Sequence, residues 1–194
     1  MLSGPFGRVA ELPIAIPFGV VVFVILLLIL RLRTSLTWPR LLILAAVAVY
    51  AAGIFADTVF PIYLFPTPRV EAYAPYIAWI PFYDYEVEDA LTNIAVFLPL
   101  GILIPLLQRH PTWWKVLLTA VAVSAGIEVT QLVTDYFFNG GHIMDVNDFI
   151  WNVTGGILGY GIFRLISRVP AFSPLIERFH WHDTPASTRH PRTA

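Results

Sequence analysis

The sequence predicts an all-α polytopic membrane protein, a bundle of five transmembrane helices with the N-terminus outside and the C-terminus cytoplasmic. Three observations predict it. First, 57% of the 194 residues are hydrophobic and only 13% charged, with a mean hydropathy of +0.71; a soluble domain carries about 25% charged residues. Second, five apolar segments are each long enough to cross about 30 Å of hydrocarbon at about 1.5 Å per residue. Third, the basic residues near the segment ends are unevenly shared. Arg31, Arg33, Arg40, Arg109, Lys115, Arg164, Arg168 and Arg178 fall on one side, and Arg8 and Arg69 on the other. The basic side is the cytoplasmic one, and an odd number of spans agrees with termini on opposite faces.

The first span, about 14–32, is a nearly unbroken apolar run. A signal peptide would begin with a basic region and end at small residues. Here Arg8 is offset by Glu11 and the run ends in Arg31, Leu32 and Arg33, so an uncleaved anchor is expected. The other spans are expected at about 40–60, 90–107, 113–134 and 148–166. The third carries Pro99, Gly101 and Pro105. Pro99 has no N–H for the Ala95 carbonyl, so a kink or rescue by a neighbouring helix is expected.

The loop from Pro61 to Asp89 interleaves eight Tyr, Trp and Phe residues with prolines, a composition suited to the headgroup level. Residues 1–169 are thus read as the membrane domain. Residues 170–194 are read as a cytoplasmic tail, mostly disordered, with one short interfacial helix near 175–181. The absence of cysteine excludes disulfides and thiolate chemistry. A net charge of −1 argues against nucleic acid as a partner. No internal repeat is visible, which argues against an inverted-repeat transporter.

The informative residues are the polar ones inside these spans. Glu128 stands about six residues, roughly 9 Å, inside the end of the fourth span. Asn93 and Asn152 stand roughly 6 Å inside theirs, and Asp57 roughly 5 Å. An ionisable group in hydrocarbon costs about 2.5–3.5 kcal/mol at a helix centre and persists where it is paired or useful. Gln131 shares a face with Glu128, and Phe97 with Asn93. Asp148, Asn152, Gly155 and Gly159 form one stripe, and the pairs Gly155/Gly159 and Ala122/Gly126 permit close helix approach. A polar pocket opening outward above tightly packed helices follows. Its expected lining is Asn93, Phe97, Glu128, Gln131, His142, Asp145, Asp148 and Asn152, with Glu128 the candidate catalytic group.

Blander readings stand beside this one. Asn93, Gln131 and Asn152 suit interhelical glue, worth about 0.6–2 kcal/mol each. Asp145 and Asp148 suit an N-cap with an acidic third position. No cofactor is expected; a divalent metal held by His142, Asp145, Asp148 and Glu128 is the alternative.

Taken in order, the residues resemble the VanZ-like family over a core of about 79–160. The resemblance runs through Trp79-Ile80-Pro81-Phe82, Asn93-x-x-x-Phe97-x-Pro99-Leu100-Gly101 and Glu128-x-x-Gln131. It closes with Asp145-x-x-Asp148-x-x-x-Asn152-x-x-Gly155 and Gly159-Tyr160. In that family an arginine usually stands where this chain has His142. The resemblance implies a cell-envelope membrane protein associated with resistance to teicoplanin, a glycopeptide carrying a lipid chain.

Three functions are therefore weighed. In the first, the pocket engages a lipid-linked envelope component or the lipoglycopeptide itself, with membrane lipid as the partner. The second is a metal-assisted hydrolase or transferase acting on a lipid head group, with Glu128 as general base; no serine, cysteine or threonine nucleophile stands beside a base in its favour. The third is a structural or partner-binding role.

Overall fold

A computed structural model of the protein describes residues 2–3, 7–33, 35–65, 77–83, 85–108 and 110–181. Five helices are long and apolar enough to cross a membrane. They are α1 (Leu12–Arg33), α2 (Trp38–Val59), α3 (Val87–Leu107), α4 (Trp113–Phe138) and α5 (Val146–Ser167). A short α6 (Ser173–Phe179) follows. The small strands are β1 (Leu2–Ser3), β2 (Arg8–Val9), β3 (Ile77–Ala78) and β4 (Met144–Asp145). β1 pairs antiparallel with β2, and β3 parallel with β4. The protein is a multi-pass membrane protein.

The main departure in span length is α4, which runs four residues past its expected end at Thr134. Asp135, one residue beyond that end, is buried, and its carboxylate accepts the Gly141 N–H at 2.9 Å. The helix ends at Asn139, whose left-handed backbone (φ 51°) lets its own N–H reach the Asp135 carbonyl and the Gly140 N–H reach the Thr134 carbonyl.

The tightest contact is between α3 and α5. A Cβ at Gly155 would run into the Ile94 carbonyl oxygen, one at Gly159 into that of Leu98, and one at Gly101 into that of Gly156. The two backbones therefore touch where side chains would hold them apart. On the other pair the expectation is corrected. Ala122 and Gly126 are exposed, and nothing lies within 4 Å of a Cβ placed at Gly126. α4 turns its Val116, Ala120, Ser124 and Glu128 edge inward instead, at strict i, i+4 spacing.

α1 lies against α2, with Gly19 facing Ala52 and the Phe18 and Phe55 rings stacked at 4.2 Å. Tyr50 of α2 donates its hydroxyl to the Val96 carbonyl at 3.0 Å. That neighbourly bond falls one residue beyond the Ala95 carbonyl that Pro99 leaves without its usual donor.

At one end of the bundle the loops knit together. The Val9 N–H reaches the Ile62 carbonyl, and the Tyr63 N–H that of Phe138. At the other end, α6 lies where a short helix was expected near 175–181, and the chain after it docks on the bundle. The Trp181 N–H donates to the Leu106 carbonyl, and its ring packs beside Leu30 and Leu44. Arg40 holds the same segment, its Nε donating to the His180 carbonyl at 2.8 Å. Of the expected tail, 182–194 lie outside the described residues, as do 66–76 of the aromatic loop.

The glycine contact yields a paired prediction. Gly159→Ala forces the α3 and α5 backbones apart and destabilises by about 1–3 kcal/mol or more. Gly126→Ala meets open space and is neutral or slightly stabilising, since glycine inside a helix is unfavourable by roughly 0.5–1 kcal/mol. Thermal unfolding of the two variants in detergent reads the difference.

Candidate functional site

Seven of the polar or neighbouring residues singled out in the sequence meet at one cavity. Asp57 of α2, Asn93 and Phe97 of α3, Glu128 and Gln131 of α4, and Asp148 and Asn152 of α5 all line it. Its volume is about 50 Å³. One water needs roughly 10–15 Å³ on this measure, so the space suits a few waters or one small polar group. Phe97 is fully buried and packs with Leu100 and Ala120, closing the side toward the bundle interior.

Counted from the helix ends, the depths are unequal. Glu128 is about 15 Å from the end of α4, while Asp57 is about 3 Å from the end of α2. They share a cavity because α4 extends past its neighbours.

The polar side chains are held in pairs. Asn93 donates its amide N–H to Asp148 at 2.6 Å, and Asn152 donates to Ser124 at 3.2 Å. Glu128 is 2% exposed. Its Oε2 accepts the Asp145 backbone N–H at 2.9 Å. Asp145 is the N-cap of α5, its carboxylate accepting the Asn147 N–H at 2.7 Å. In an ordinary capping box the third helical residue returns to the N-cap N–H. Here that residue is Asp148, which faces Asn93, and Glu128 from another helix takes its place.

Three buried acceptor oxygens on the cavity wall have no hydrogen-bond partner: Glu128 Oε1, Gln131 Oε1 and Asn152 Oδ1. A buried polar atom left in this state costs about 1–3 kcal/mol.

Asp145 and His142 stand outside this cavity. Asp145 lines a separate apolar cleft of about 190 Å³ on the other side of Glu128, beneath the β3–β4 pair. His142 Nε2 lies 3.0 Å from the Phe60 carbonyl oxygen, an arrangement that places the proton on Nε2. Among the described residues no three of His, Asp and Glu converge as a metal site. The structure does not bring His142, Asp145, Asp148 and Glu128 together: the histidine belongs to the corner after α2, and Asp145 is engaged as a cap.

The segment before α3 folds over the start of α5. The Phe82 N–H donates to Asn147 Oδ1 at 2.6 Å, and the Phe82 and Tyr85 rings lie 6.0 and 6.1 Å from Trp151. Sequence reading missed Asn147 and Ser124. Ser124 carried a signal, standing one turn before Glu128 on the same face. Asn147 carried none, because its partner is a loop backbone 65 residues away.

Beside the polar cavity runs a larger apolar groove of about 490 Å³, between α2 and α4 with Phe18 of α1 at its edge. Ile54, Thr58 and Ile127 belong to the walls of both spaces.

Asp145→Ala removes a side-chain cap and is expected to destabilise by about 1 kcal/mol, whereas Asp145→Asn, a comparably good cap, is nearly neutral. Chemical denaturation of the detergent-solubilised variants, followed by helical signal, distinguishes them.

No curated protein and no solved structure matches the chain. A family match does, and it covers residues 21–167. It takes in most of α1 and all of α2, beyond the 79–160 core that carried the resemblance. Five apolar spans, the glycine-paired helices and this long match together place the chain in the VanZ/LLP1 family.

Proposed function

We propose that the protein engages an amphiphile of the outer leaflet, a lipid-linked envelope component or a lipoglycopeptide antibiotic. The observation that carries this reading is the shared wall of the two spaces. A polar cavity bounded by Asn93, Glu128, Asp148 and Asn152 adjoins an apolar groove through Ile54, Thr58 and Ile127. An amphiphile has this order of chemistry, a polar group joined to a hydrocarbon chain. The groove volume falls within the roughly 300–1,000 Å³ of typical ligand sites. Sized for a small group, the polar cavity admits one functional group of a head, not a whole glycopeptide. A lipoglycopeptide would therefore engage through its chain, with its sugars and peptide outside.

The leaflet follows from charge. The cavity lies toward the end that holds Arg8, whereas Arg31, Arg40, Lys115, Arg164 and Arg168 lie at the other end. The basic end faces the cytoplasm.

Orientation is testable because the chain lacks cysteine. Glu86→Cys is expected to react with a membrane-impermeant maleimide on intact cells, and Glu177→Cys only after permeabilisation. The reverse pattern puts the cavity in the inner leaflet.

For the groove, Gly126→Phe projects a ring into the space between α2 and α4. Lipid retained through purification should fall in this variant while the melting temperature stays near wild type. Expression of the wild-type chain in a sensitive host is expected to raise tolerance to teicoplanin, and expression of Gly126→Phe to raise it less. Unchanged susceptibility with correctly inserted protein removes the antibiotic as the amphiphile.

A further inference from the structure

We propose that the occupant of the polar cavity is a primary ammonium group, supplied by a lipid whose head ends in a primary amine. The amphiphile reading above underlies the lipid source, and this inference names its chemistry.

The argument is a count of hydrogen-bonding capacity. Three donor groups of the wall are engaged within the protein. The Asn93 amide donates to Asp148, the Asn152 amide to Ser124, and the Thr92 hydroxyl to the Glu88 carbonyl. Three buried acceptors of lining residues have no partner: Glu128 Oε1, Gln131 Oε1 and Asn152 Oδ1. Glu128 and Asn152 are 2% and 3% exposed, so this capacity is directed into the protein and not to bulk solvent.

Charge points the same way. Asp57, Glu128 and Asp148 line the cavity, and among the described residues no lysine, arginine or histidine does. A phosphate or carboxylate there would meet like charge. A primary ammonium brings three N–H donors and one positive charge, and it has no acceptor of its own. Three open acceptors beside a carboxylate complement it. A quaternary ammonium brings the charge with no donor and is bulkier, so it suits neither the acceptors nor a space of about 50 Å³. With no cluster of three His, Asp or Glu among the described residues, the wall offers a poor cage for a divalent metal.

The route is lateral. Through the shared wall at Thr58 and Ile127, an amine can seat in the cavity while a chain lies in the α2–α4 groove.

The test uses the full chain reconstituted in bilayers of equal phosphatidylethanolamine and phosphatidylcholine. These head groups differ by the three methyls on nitrogen. After mild detergent extraction, native mass spectrometry counts the retained lipids. Several-fold enrichment of phosphatidylethanolamine is expected on the wild type, falling to the bulk ratio in Glu128→Gln. Should Glu128→Gln not fold, Gln131→Met at the half-buried edge is expected to reduce the enrichment.

A second arm adds methylammonium, tetramethylammonium or sodium chloride to lipid-depleted protein and reads the melting temperature. Stabilisation by methylammonium alone, without lipid enrichment, supports the ammonium site with a free amine as its source. Retained lipid with no head-group preference and no methylammonium effect means the cavity holds water. That result overturns the inference while the groove reading stands. Equal stabilisation by sodium or tetramethylammonium overturns it as well.

Discussion

Inside a bilayer, helices gain little by hiding apolar surface from lipid tails that are equally apolar, so close packing and polar pairing must hold them. In this protein that constraint is met first where α3 and α5 touch through Gly101, Gly155 and Gly159. Because the backbones meet there, the rotation and register of α5 against α3 are fixed. The polar pairs one and two turns away follow from that registration. Asp148 is brought to Asn93, and Asn152 is turned to Ser124 on α4. A larger residue in the glycine stripe would separate the helices and dissolve the cavity wall along with them.

Much of this was legible in the sequence, for identifiable reasons. Span existence depends on apolar length, which one sequence displays directly, and each of the five spans was located within four residues at either end. The α3–α5 contact was legible as a small-residue repeat. The same pattern misled at Ala122 and Gly126, because small residues permit an approach and do not compel it. Which face of α4 turns inward is decided by the placement of its carboxylate, and Glu128 lies about 140° around the helix from that pair's midline. Depth was misjudged for a related reason. Counting from expected span ends assumed helices of equal reach, and α4 continues to Phe138 because Asp135 serves its terminating loop. His142 and the segment up to Trp181 could not be placed from sequence, since both are fixed by backbone carbonyls far along the chain, those of Phe60 and Leu106.

Glu128 unites the structural and functional readings that the sequence left as rivals. One carboxylate oxygen closes the N-cap of α5 from a different helix, a task that an amide oxygen could also perform. The other oxygen is buried with no hydrogen-bond partner. A residue serving only as glue would be expected to satisfy both, given the cost of an unmet acceptor in low dielectric. The asymmetry between the two oxygens therefore distinguishes a carboxylate kept for its second acceptor from one kept for helix capping.

His142 sharpens the point about charge. The family resemblance puts an arginine at this position, a permanent cation able to pair with a carboxylate in a two-pronged fork. In this chain the corresponding side chain is shorter, and its ring nitrogen is spent on the Phe60 carbonyl at the α2 corner. Among the described residues the cavity is walled by Asp57, Glu128 and Asp148, with no basic residue on its lining. Like charges confined together in a low-dielectric setting repel, and either protons or an outside cation must relieve them.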